Sequence, residues 1–527
     1  MRREMRHSVC PGAEPLTSDR GAALVISLLA LIVLFLLGLA FLTLSKTESD
    51  ISLNHRDAGR ALYIADAGLE RFKRDLRYDY TYPGTHPSDR YLASPALAAE
   101  GTLEDATGTF VGAAAPVKRY YDLGTPLSTT FINLTAYRQV NMNGGSYALR
   151  VKKDVDGGFI VESTGSVGNR VSRTLEAKLE PKSLSIWDNA IFGGTGASGG
   201  LINGNVTIAG SVHVLGTGLS SSDTAIELGG GANVLNRYEG IAADLDEILV
   251  EDAAAIDARP GKLRAEYRVR RGKTSIGSMA SAVGQPTCHV KAVYTNDGFA
   301  GSNPHNVYSD NGKNMKYDLP SDIQIVFPPI HGGSPPLSSA LDITASLPAS
   351  GANRRLDADT ASFGPLFDAN GNSITWSQSN GRLSINGVVK VTANLDLAKK
   401  NAPLQYVGKG TLYATGSVYL HDDVLPPADS FPTVNCLGII AGQNIELATG
   451  GGESHIRTAG AFYAANRISS GKQTQHAGTF VANYFDMGSQ VPRIYQVPLL
   501  EKNLPPGLPG GDPYYFVKTV YWKIAGL

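Results

Sequence analysis

Residues 19–50 read DRGAALVISLLALIVLFLLGLAFLTLSKTESD and carry no charge between Arg20 and Lys46. From Ala22 to Leu44 only Ser27 and Thr43 are polar, and at 1.5 Å per residue about 20 such residues cross the hydrocarbon core of a bilayer. A secretory signal that is cut away has a shorter apolar core, about 7–15 residues, so the length favours a retained span. Arg2, Arg3, Arg6 and Arg20 precede it. Basic flanks stay cytoplasmic, which puts the N-terminus inside and the bulk of the chain outside.

The residues just beyond the span decide the fold. No proline interrupts the chain from Ala22 to Tyr82, and Ile51, Ala58, Leu62, Ala65, Leu69, Phe72 and Leu76 recur at steps of seven, three and four. That spacing marks one helical face. It predicts an unbroken helix over 22–76, membrane-spanning at 22–44 and amphipathic beyond. Gly38, Gly59 and Gly68 soften it by up to about 1 kcal/mol each relative to alanine.

Two motifs, RGAALVISLLALIVLFLLGLA (20–40) and HRDAGRALYIADAGLERFKRDL (55–76), resemble the N-terminal region of PilX-type minor pilins of type IV pili, and of the related K-type pseudopilins of type II secretion. The resemblance implies a prepilin leader over 1–21, removed by a prepilin peptidase between Gly21 and Ala22. It also implies a helix that packs in a filament core, with Ile26, Leu29, Leu36, Ile51, Leu62 and Leu69 as packing residues. Major pilins carry a glutamate at the fifth mature position, where Ile26 stands here. A carboxylate in lipid is costly unless paired, and a tip subunit lacks the neighbour that would pair it, so Ile26 points to a tip or priming position. Implied partners are other minor and major pilins, the inner-membrane assembly platform and a tip adhesin. The implied location is the inner membrane with a periplasmic head, then the pilus or cell surface.

The 527 residues exceed one ordinary domain. With 47 basic against 48 acidic residues and no basic patch, nucleic acid is not the expected partner. The 59 glycines suit β-structure with many turns. Residues 146–181 alternate apolar and polar with breaks at DVDGG and SVGN, giving a three-stranded meander, and 77–185 as a whole reads as a pilin-like head. From 186 a looser motif recurs: GTLYATGSVYL (410–420), GIIAGQNIEL (438–447), GAFYAANRISS (460–470) and GTFVANYFDMG (478–488). Irregular repeats of paired short strands with Gly and Asn corners predict a parallel β-helix. We expect solenoid segments at 186–235 and 387–500, an insertion of mixed structure at 236–386 and a tail at 501–527. The fold class is α+β: a long helix with a meander, then a large β-rich domain.

No enzyme motif has its context. GGTGASGG (193–200) holds G-x-S-x-G but leads into strands, where a nucleophile elbow needs a helix. His213, His421, His455 and His476 lie in or near the repeats and read as turn residues, with no metal or cofactor implied. Of three cysteines, Cys10 lies in the leader, leaving Cys288 and Cys436 as a candidate disulfide outside the cytoplasm. The reading is a non-enzymatic minor pilin. Its alternatives are a membrane-anchored β-helix enzyme on polysaccharide, marked by a charged cluster along one rung face, or a minor pseudopilin.

Overall fold

The computed structural model describes residues 19–81, 131–134, 140–142, 144–154, 158–168, 170–194, 202–203, 206–250, 263–313, 315–319, 325–453, 455–487 and 492–525. The chain divides into two compact units, residues 1–182 with 517–527, and residues 183–516.

The first unit is built on the helix Asp19–Thr81, longer at both ends than the periodicity alone required. Its sheet runs in the order Ile132–Leu134, Gly145–Lys153, Phe159–Val167, Val171–Leu184, Tyr514–Ile524, with Val140–Met142 also on the second strand. The predicted meander is present and antiparallel throughout, for example Val151↔Val161 and Val161↔Ala177. Alternate residues point toward the helix, so Leu149, Val151, Val161, Ala177 and Leu179 meet Ile64, Leu69, Phe72 and Leu76 in one apolar core. Residues 514–524 are therefore not a tail. They close the sheet after a long excursion, and the Ala525 amide donates to the Thr174 carbonyl at 2.9 Å.

That excursion is the second unit, a solenoid whose strands stack in parallel on three faces. On the first, one in-register row runs Leu341, Val389, Leu412, Ile439, Phe462, Phe480, Ile191, Val212, Tyr267, Val293. The third face repeats this with Leu404, Val424, Thr458, His476, Ile494, Ile208, Val234 and Val283. Thr458 and His476 apart, apolar residues stack on apolar ones, so the interior is a nearly continuous apolar column. The order of the rows is not the order of the chain. The chain enters at mid-stack with Ile191, runs to one end by residue 315, crosses to the other end and climbs from 341 until Phe480 meets Ile191.

One further expectation changes here. Strands Glu266–Val269, Ala282–Val283 and Ala292–Thr295 belong to the stack, so much of 236–386 is solenoid. Long loops between its strands hide the period. Among the described residues, the non-solenoid parts include the short helix Ala243–Glu247, the crossing segment and an antiparallel hairpin of Phe363–Phe367 with Ser373–Ser377. The crossing segment lies on the outside of the first face, held by Arg268 to Asp318 (2.9 and 3.1 Å), Arg270 to the Ile325 carbonyl (2.9 Å) and the Tyr463 hydroxyl to the Pro328 carbonyl (2.7 Å). Beneath it a second apolar cluster includes Trp187, Phe192, Ile440 and Val481.

Candidate docking surface

The helix has two regimes. Ile26, Leu29, Leu36 and Ile51 are exposed at 67, 57, 59 and 52 %, and the apolar window within Ala23–Arg74 has no share buried inside the protein. Such a surface needs lipid or other helices around it. From Ala61 onward the same helix lies on its own sheet. Small residues set the approach: a Cβ on Gly68 would meet the Tyr147 ring at 2.8 Å, and one on Gly165 would meet the Ala61 carbonyl oxygen at 2.1 Å. The Ser163 hydroxyl donates to the Ala65 carbonyl at 2.6 Å. Leu69, named from the sequence as a filament contact, is 3 % exposed and packs in its own head; Leu62 lines a groove beside the helix. Helical residues Gly21 and Ala22 continue without a break from Asp19.

In the solenoid, one outward row of the second face runs Arg355, Asp396, Tyr419, Glu446, Ser469, Asp486. The carboxylates are tied: Asp396 accepts from Asn353 at 2.7 Å, and Glu446 from Arg467 at 2.8 Å and Ser469 at 3.0 Å. His421 sits at the corner, 2.5 Å from Glu453 and 3.6 Å from Asp396. Asp396 first, and Glu453 with it, raise its pKa to about 9 against the opposing pull of burial. This is an ion-paired corner.

Two other histidines depart from the turn reading. His213 and His476 are strand residues, fully buried. His476 stacks between Phe462 and Phe480, with centroids 4.7 and 4.0 Å away, and shares a hydrogen bond with Thr458. Burial lowers its pKa to about 3. His213 meets the Tyr317 hydroxyl at 2.7 Å, and burial, then Arg268 and Arg270, hold it well below the ordinary histidine value. Of the four, only His455 is exposed. Among the described residues no group of three His, Cys, Asp or Glu side chains could hold a metal ion. Ser198 of GGTGASGG and Cys10 lie outside the described residues.

The disulfide is not formed. Cys288 and Cys436 are both free and buried. Cys436 starts a rung strand and pairs with Lys409, whereas Cys288 bridges to Gln285 of its own loop, so different parts of the stack hold them.

A helix half bare and half buried in a small antiparallel sheet is the pilin type of unit, here with a solenoid inserted before the closing strand. Residues 20–70 match the PilX N-terminal family. The fold is similar to the crystal structure of competence-associated pilin ComZ from Thermus thermophilus, with TM-score 0.52 and 20% identity, over 89% of this chain and 97% of that one. No curated protein matches. The helix match is thus to a PilX-type N-terminal segment, and the shared fold is that of a pilin.

Proposed function

We propose that the chain is a minor pilin of a type IV pilus, trimmed after Gly21, which primes assembly or caps the tip and presents its solenoid outward. The observation that carries this is the exposed apolar helix rooted in its own sheet: it suits lipid before assembly and a helical filament core afterwards. Ile26 in place of a carboxylate favours the tip over a repeating shaft position. The competence association of ComZ makes a competence-associated filament one machine in which to look for this subunit. Other pilins, a prepilin peptidase, the inner-membrane platform and a tip adhesin are the partners of this reading.

N-terminal sequencing of the membrane-extracted protein, with and without prepilin peptidase, tests it. A mature chain starting at Ala22 only when the peptidase is present is expected. An uncut chain, or one cut beyond Leu44, overturns the reading. Leu29→Asp should abolish incorporation into filaments while the solenoid stays folded.

A further inference from the structure

Beside the helix lies a groove of about 340 Å³. His55, Ala58, Gly59 and Leu62 form its helical side, and Arg173 with Ile524 its sheet side. It is open: a Cβ on Gly59 would meet nothing within 4 Å. Val520 and Trp522 precede Ile524 at two-residue steps on the closing strand, so they extend the same wall, and they stand 46 and 64 % exposed. The opposite row is occupied, since Tyr521 and Lys523 both reach Glu176 at 3.1 Å on the other side of the sheet.

We propose that this groove receives a helix of a neighbouring pilin-type subunit, apolar toward the groove and bearing a carboxylate opposite Arg173. The inference rests on the minor-pilin reading and adds the place where a neighbour docks. Continuity is the first argument. The groove takes over on the same helix where the exposed run through Ile51 and Leu53 ends, so a helix lying along that run continues into it. Charge is the second. Arg173 is exposed and makes no ion pair among the described residues, while the nearby Asp57 is already held by Arg56 and Arg60 at 3.6 and 3.7 Å. The lip is thus left basic by Arg173, and an apolar helix with a carboxylate complements it. A second copy fits less well, because its own apolar run has no carboxylate between Gly21 and Ser45. Trp522 supplies the aromatic anchor on which interface energies concentrate.

The test uses the full-length chain in its native membrane, with a benzophenone amino acid at Gly59 and, as a control, at Lys523. Mass spectrometry of the adducts should find a helix of another pilin-type subunit joined to position 59 and not to position 523. Adducts to lipid, to a second copy or to nothing overturn the proposal. In parallel, Gly59→Trp should leave thermal unfolding unchanged and cut the amount in sheared filaments at least tenfold. Arg173→Glu should cut it severalfold, with recovery when the carboxylate at the cross-linked partner position is changed to lysine. Normal incorporation of Gly59→Trp sinks the groove alone. Absence of the unmodified chain from filaments sinks the minor-pilin reading itself.

Discussion

Gly165→Ala is the sharpest probe of how the helix sits on its sheet. The added Cβ would lie 2.1 Å from the Ala61 carbonyl oxygen and 2.6 Å from the Ala65 amide nitrogen, where ordinary contact begins at 3.4 Å. Both neighbours are helix backbone, which cannot rotate aside, so helix and strand must separate by about 1 Å. Overpacking of this kind costs about 1–3 kcal/mol. The upper end applies, because separation also loosens Ile64, Leu69 and Phe72 from the core. At about 2–4 °C per kcal/mol for 150–250 residues, the first unit should melt about 6–12 °C earlier. A single calorimetric midpoint would mix the two units, so the assay is hydrogen exchange resolved by peptide, comparing 57–76 and 159–167 with the solenoid. Gly38→Ala and Gly59→Ala are the controls, since each Cβ enters open space and alanine favours the helix. Unchanged exchange in Gly165→Ala, or equal loosening in Gly59→Ala, would refute the reasoning.

Phe480→Ala removes the ring that stacks on Ile191 where the two runs of the solenoid meet, and should cost about 3–5 kcal/mol, seen as protease cutting in residues 183–516 before any in the helix. His421 has its pKa raised in the folded state to about 9, so its contribution is complete below the ordinary histidine value near 6.5 and is lost as pH rises through 9. After solvent screening it is on the order of 1 kcal/mol, and His421→Gln should flatten the stability slope between pH 6.5 and 9. His476 acts in the opposite sense. With its pKa lowered to about 3, stability is full above 6.5 and falls as pH drops toward 3, a slope that urea titrations of His476→Phe should lack.

The long helix was legible because length, charge-free stretch and apolar steps all speak locally. The solenoid was legible only where coils are short. Gly460 and Gly478 do stack on one another, while Gly438 pairs with Thr411 and Ala461, one place off the alignment of Gly410 with Gly438 that the repeats invite. Between Leu235 and Glu266 the short helix Ala243–Glu247 interrupts the rungs, so the period fades and the strands beyond it read as an insertion. The meeting of Phe480 with Ile191 leaves no local trace at all, since parallel pairing at such separation is set by stacking of whole coils. The strand Tyr514–Ile524 did leave one, YYFVKTVYWKI being rich in aromatic and β-branched residues, but its partner lies far back at Val171–Leu184. Within the groove, His55, Ala58 and Leu62 follow from helical spacing, whereas Arg173 and Ile524 depend on that long-range pairing.

Entry of the chain at mid-stack has a consequence for manufacture. Strands at Ile191, Ile202 and Thr207 wait with unpaired edges until residues 474–495 are in place, and such edges invite pairing with other chains. Only after that does residue 514 onward add the strand that finishes the first sheet and walls the groove. On the docking proposed above, a chain that has not reached residue 514 has no finished seat for a neighbour, so the topology would itself act as a release inspection.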